Sequence, residues 1–177
     1  MEKKIILLIG GPGSGKTTAL NELCKKGYTC YPEISREVTI EAQKSGIDQL
    51  FLKEPLLFSE LLLKGRINQF TNALKESAEL VFIDRGIPDV LAYMHYIGDA
   101  YPPVFDEACQ NHTYTKVFIF PPWEEIYVSD SERYENFEQA KLIHNHLVET
   151  YSKYGYHLIE VPKADLNSRV SFILNNL

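Results

Sequence analysis

The chain has 177 residues, 45% of them hydrophobic, with 24 acidic against 18 basic side chains and a net charge of −6. That length points to one domain, 1–177, able to bury a sizeable core, and the acid excess argues against nucleic-acid binding, which needs clustered Lys and Arg. The longest wholly apolar runs are about five residues, far short of the roughly 20 that span a bilayer, and the first of them runs straight into a glycine-rich loop rather than a cleavage site, so no membrane span and a cytoplasmic location are expected.

A strand is predicted over 4–9, carrying Ile5-Ile6-Leu7-Leu8-Ile9. It leads into Gly10-Gly11-Pro12-Gly13-Ser14-Gly15-Lys16-Thr17, which fits the phosphate-loop pattern G-x-x-x-x-G-K-[ST] without deviation. The glycines let the backbone turn tightly and bring N–H groups close to an anion. The helix expected from Lys16 to 26 aims its positive dipole end at the same place. Gly10 to Thr18 are therefore the candidate nucleotide-binding residues. Lys16 supplies charge for the outer phosphates, and the Thr17 hydroxyl is placed to ligate Mg²⁺.

Downstream, a short strand over 28–31 precedes a helix over 33–44. A long helix starts near Pro55, with Leu63, Ile67, Phe70 and Leu74 recurring on one face. Leu80-Val81-Phe82-Ile83-Asp84 reads as a third strand ending in a carboxylate, which suits either Mg²⁺ orientation or base duty beside the loop. A fourth strand over 117–120 ends at Pro121-Pro122. A helix over 135–154, a fifth strand over 156–161 and a helix capped by Asp165 complete the chain. Cys24, Cys30 and Cys109 have no metal or redox spacing and read as buried free thiols. The alternation predicts an α/β fold: a five-stranded parallel sheet between helix layers, with ligands at the carboxyl ends of the strands.

Asp84 is followed by Arg85-Gly86, not by the Glu that polarises water in motor ATPases. An Arg here suits bidentate grip of a phosphate or carboxylate on an acceptor substrate; an ion pair with a neighbouring acid is the alternative. Glu33 and Arg36 lie where an acceptor would sit. Glu33 could take a hydroxyl proton and Arg36 could bind the acceptor, although acids at a helix start also suit the dipole. The segment 121–135 reads as a lid, and Arg133 is its one arginine, placed to neutralise the transferring phosphoryl group. Trp123 reads as a packing anchor more readily than as a base-stacking platform.

The phosphate loop, the stretch 31–38, Asp84-Arg85-Gly86-Ile87-Pro88-Asp89, the stretch 117–133 with its Phe120-Pro121-Pro122-Trp123-Glu124, and Leu158-Ile159-Glu160-Val161-Pro162 together resemble the AAA-labelled predicted ATPases. That family includes the ribosylnicotinamide kinase domain of NadR-type proteins. The resemblance covers nearly the whole chain. It implies a three-layer P-loop NTPase fold like that of nucleoside and nucleotide kinases, with ATP or GTP as the bound nucleotide. The absence of an N-K-x-D guanine motif favours ATP. The expected activity is Mg²⁺-dependent transfer of the γ-phosphate to a small hydroxyl acceptor, with Lys16, Asp84, Glu33 and Arg133 catalytic and Glu33, Arg36 and Arg85 on the acceptor. A nucleotide-dependent switch with slow hydrolysis is the alternative.

Overall fold

Period-two alternation along one buried strand organises the molecule. In the computed structural model, which describes residues 3–47, 50–127 and 136–177, strand β1 (Lys4–Gly10) lies at the centre of a five-stranded, all-parallel sheet. Its neighbours are β3 (Leu80–Asp84) and β4 (Lys116–Phe120), and the edges are β2 (Thr29–Tyr31) and β5 (Leu158–Glu160), in the order β2-β3-β1-β4-β5. Ile5, Leu7 and Ile9 face one helix layer; Ile6 and Leu8 face the other. All five are at most 2% exposed. Both faces of the sheet are covered, which is why the central strands read as unbroken apolar runs rather than alternating ones.

One layer holds α1 (Lys16–Lys25) and α8 (Leu166–Asn175), whose Ala19, Leu20, Leu23, Val170 and Ile173 pack against Ile6, Leu8, Phe82 and Phe118. The other holds α4 (Pro55–Lys75), α5 (Ile87–Ile97) and α7 (Phe137–Lys153), which contribute Phe70, Ala92, Ile143, Leu147 and Tyr151. A third cluster joins α4 and α5 to α6 (Val104–Asn111) through Leu62, Leu63, Val90, Leu91, Phe105 and Cys109. The remaining described helices are α2 (Ser35–Lys44), the four-residue α3 (Leu50–Lys53) and a single 3-10 turn over Glu124–Ile126. Among the described residues no helix is long and apolar enough to cross a membrane.

Several sequence expectations shift. The helix expected from Glu33 begins at Ser35, because the Glu33 carboxylate receives the N–H groups of Ile34 and Ser35, both at 3.0 Å, and stays outside the helix as its acceptor. Leu74 is 51% exposed while its neighbour Ala73 is fully buried: the apolar stripe of α4 turns past Leu74. Of the three thiols only Cys109 is buried; Cys24 is exposed and Cys30 half-buried. Cys24 follows Leu23, which occupies the inward face of α1, and Cys30 belongs to an edge strand. Helices α5 and α6 were not anticipated between β3 and β4. Helix α5 has seven buried residues among its eleven.

Candidate active site

The carboxyl ends of β1, β3 and β4 bring the chemistry together. Gly10, Gly13 and Gly15 have φ of 149°, 71° and 87°, a region open to glycine and strained for most side chains. A Cβ on Gly10 would lie 2.6 Å from the Phe120 carbonyl oxygen, and one on Gly15 would lie 2.6 Å from Arg169 Nη1. The loop is thus fixed both by its dihedrals and by close neighbours. A cleft of about 400 Å³ runs along Gly13 to Thr18 and is walled by Trp123, Ile126, Asp165 and Arg169. Trp123 is half-buried and lines this cleft rather than anchoring the core.

Lys16 Nζ donates to the Gly11 carbonyl oxygen at 2.9 Å and to Ser14 Oγ at 3.3 Å. Burial, and next the Arg85 cation, pull the lysine down to about 8, against the opposing carboxylate of Asp84. Thr17 Oγ1 donates to Asp84 Oδ2 at 3.0 Å. Asp84 is 1% exposed, and burial, reinforced by Glu33, holds its carboxyl above the usual range although Lys16 and Arg85 oppose this. Its Oδ1 is buried and has no hydrogen-bond partner among the described residues. A hydroxyl beside a half-satisfied carboxylate fits Mg²⁺, which takes one or two protein oxygens and completes its shell with water and phosphate. Among the described residues no cluster of three or more His, Cys, Asp or Glu could hold a metal by itself.

Arg85 occupies the turn after β3. It has φ 69°, the one positive value outside glycine among the described residues, a conformation that costs a non-glycine residue energy and concentrates at functional sites. Its N–H donates to the Leu8 carbonyl oxygen at 3.0 Å, so the ladder with β1 fixes the turn. The guanidinium meets Glu33 through Nε, stands 3.6 Å from Asp89 Oδ1 through Nη1, and lies 5.4 Å from the ring centre of Tyr93. Of the two sequence alternatives for Arg85, the structure shows the ion pair with neighbouring acids.

Two further buried groups complete the cluster, and neither was singled out in the sequence. Arg66, on α4 and 4% exposed, donates from Nη2 to Glu33 Oε1 at 3.1 Å. Asp89, 1% exposed, accepts from the Gly86 N–H at 2.8 Å and from the Tyr151 hydroxyl at 2.6 Å, both through Oδ2. Burial pushes the Glu33 carboxyl up, but the guanidinium groups of Arg66 and Arg85 more than offset that and hold it below its ordinary value. Three cations, Lys16, Arg66 and Arg85, thus face three acids, Glu33, Asp84 and Asp89, so the buried charge is close to balanced. Arg36 lies exposed at the start of α2, three residues beyond Glu33. Arg133 and most of the expected lid lie outside the described residues.

A parallel sheet with this strand order, a phosphate loop after β1 and an acid at the end of the adjacent β3 define the P-loop kinase-like class of fold. The family model of an AAA domain matches residues 5–169, and the chain belongs to that family. No curated protein matches the chain significantly. Among solved structures, a NadR protein in complex with NR superposes with a TM-score of 0.78 at 17% identity, over 98% of this chain and 51% of that one. The chain thus spans about half the length of that protein. Deoxyadenosine kinase from M. mycoides with dCMP and dCDP gives 0.72 at 17% identity over 97% of both chains. Thymidylate kinase from Ehrlichia chaffeensis gives 0.63 at 18% identity over 99% of both. At such identities these likenesses define the fold.

Proposed function

We propose that the protein is an ATP-dependent, Mg²⁺-requiring kinase that phosphorylates a hydroxyl group of a nucleoside-like acceptor. The observation that carries this reading is the Glu33–Arg66–Arg85–Asp89 cluster beside Lys16 and Asp84. A hydrolase needs only to place a water next to the γ-phosphate, whereas here several buried side chains from different elements converge beside the loop. The proteins of like fold named above include two nucleoside or nucleotide kinases, which supports the same reading.

In this reading the loop N–H groups and Lys16 hold the β- and γ-phosphates. Thr17 and Asp84 would hold Mg²⁺, which when bound neutralises charge on the same phosphate oxygens. Glu33 accepts a hydrogen bond from the acceptor hydroxyl. The hydroxyl oxygen then bonds to the γ-phosphorus, the bond to the β–γ bridging oxygen breaks, and the proton passes to Glu33. A carboxylate held at low pKa is a weak base, yet it suffices because the loose transition state of phosphoryl transfer asks mainly for positioning. Arg85 orients Glu33, and Arg36 and Arg133 are assigned to the acceptor and to the lid. Arg66 Nε and Nη1 and Gln69 Oε1 are buried without hydrogen-bond partners among the described residues. Such groups are costly when unpaired, at about 1–3 kcal/mol each, and suit an acceptor with several polar edges, as a nucleoside has.

The test is ADP release from purified protein with Mg-ATP and a panel of nucleosides. Release that depends on one acceptor class is expected; equal release with and without every acceptor rejects the kinase reading in favour of slow hydrolysis.

A further inference from the structure

Arg169 is 6% exposed and belongs to α8, far from the phosphate loop in sequence. Its Nη2 donates to the Ser14 carbonyl oxygen at 2.6 Å, inside the loop itself. The guanidinium carbon lies 4.7 Å from the ring centre of Phe120 and 5.7 Å from that of Trp123. One cation thereby ties together the phosphate loop, the end of β4 and the start of the segment after it. Aromatic faces attract a cation through their quadrupole, and a charged donor makes a stronger hydrogen bond than a neutral one. Such a site holds its carbonyl firmly.

The consequence lies in the peptide plane. In a trans peptide the C=O of Ser14 and the N–H of Gly15 point in opposite directions. Gly15 also has φ 87°, and a side chain there would strike the Arg169 guanidinium. Anchoring the Ser14 carbonyl on Arg169 turns the Gly15 N–H away from the guanidinium. We infer that Arg169 is a positioning residue for the phosphate loop: it orients the Ser14–Gly15 peptide so that the Gly15 N–H donates to the nucleotide's phosphates. This rests on the nucleotide-binding reading above and assigns a role to a residue outside the loop motif.

The test compares Arg169→Met and Arg169→Lys with Val170→Ala, which loosens the same helix by trimming a residue 1% exposed in the core. Calorimetric titration with Mg-ATP and, separately, with inorganic tripolyphosphate reads the phosphate contacts with and without a base. Thermal melts of the free proteins read the structural cost. Arg169→Met is expected to weaken both ligands by the same factor, about tenfold, which corresponds to about 1.4 kcal/mol. Arg169→Lys keeps a cationic donor and should recover most of that loss. Val170→Ala should lower the melting temperature while changing either affinity less than twofold. Unchanged binding in Arg169→Met, a loss confined to ATP, or an equal loss in Val170→Ala overturns the inference. Failure of the wild type to bind either ligand rejects instead the nucleotide-binding reading on which it stands.

Discussion

The two ends of the site are built from different materials. The nucleotide end is mainly backbone: a contiguous loop of glycines with left-handed dihedrals, close-packed against Phe120 and Arg169, to which Lys16 adds one charge. The end proposed above for the acceptor is side chains: Glu33 before α2, Arg66 on α4, Arg85 in a strained turn and Asp89 on α5. A backbone cradle depends on its glycine dihedrals and on the anchor that Arg169 gives the Ser14 carbonyl. A network of buried charges depends on every member, because removing one partner leaves another charge buried and unpaired. The two ends should therefore fail in different ways when altered.

The largest expected effect is at the acceptor end. Glu33→Gln should lower kcat for acceptor phosphorylation by about 10²–10⁴-fold while leaving the affinity for ATP within a small factor, as steady-state kinetics and calorimetry would show. Lys16→Met should instead weaken ATP binding together with turnover. If both substitutions affect ATP binding alike, the division between the two ends is wrong.

Arg66→Met should destabilise the protein by about 1.5–3 kcal/mol, the scale of losing a hydrogen bond to a charged group, because Glu33 keeps Arg85 as a partner; denaturant unfolding measures this. The double variant Glu33→Gln/Arg66→Met should lose less than the sum of its parts, since both substitutions remove the same ion pair. Additive losses would mean that the pair contributes little to the network.

Asp84→Asn should part function from stability. Because burial raises the Asp84 carboxyl in the folded state, the fold binds that proton more tightly than the unfolded chain, and stability falls as pH rises through the interval between the two values. At pH 7 the charge is therefore a net cost, and the neutral amide should raise the melting temperature. That gain should shrink as pH falls towards the carboxylate range. Mg²⁺-dependent turnover should drop on the order of 10²-fold, the scale of losing one electrostatic contact to the transition state. A lower melting temperature would contradict the assignment.

The smallest effect concerns Lys16, lowered to about 8 from 10.5. The folded protein gives up this proton at lower pH than the unfolded chain, so the unfolded state binds more protons in that window and stability rises with pH across it. Wild type should gain stability relative to Lys16→Met between those two values. ATP affinity should fall as pH rises across the same window, because a neutral amine no longer attracts phosphate. A constant difference in melting temperature across the window would show that the lysine is not displaced by its surroundings.

The same contrast explains what was legible in the sequence. The phosphate loop is local, with its residues adjacent and its requirements set by dihedral angles, so eight consecutive positions reveal it. The strands were legible because both sheet faces are buried and the apolar runs are unbroken. Asp84 and Arg85 could be found because they end such a run. Arg66 and Arg169 were not, because each is a lone arginine on an amphipathic helix and acquires its partner only through the fold: Glu33 lies 33 positions from Arg66, and Ser14 lies 155 positions from Arg169. Asp89 was visible within Asp-Arg-Gly-Ile-Pro-Asp, but its role as acceptor for Gly86 and Tyr151 arises only in the fold, since Tyr151 lies 62 positions away on α7. For Glu33 the structure bears out the helix-start reading, since its carboxylate receives the first N–H groups of α2, while its two guanidinium partners come from α4 and the turn after β3 and could not be read locally.

The central claim is that the γ-phosphate goes to an acceptor hydroxyl. The most direct test is to incubate the protein with Mg-ATP labelled with heavy oxygen in the γ-phosphate and a set of nucleosides, and then to follow the label by mass spectrometry. The account predicts label on a nucleoside monophosphate, with inorganic phosphate a minor product. Label appearing only in inorganic phosphate, at a rate indifferent to every nucleoside, would contradict it.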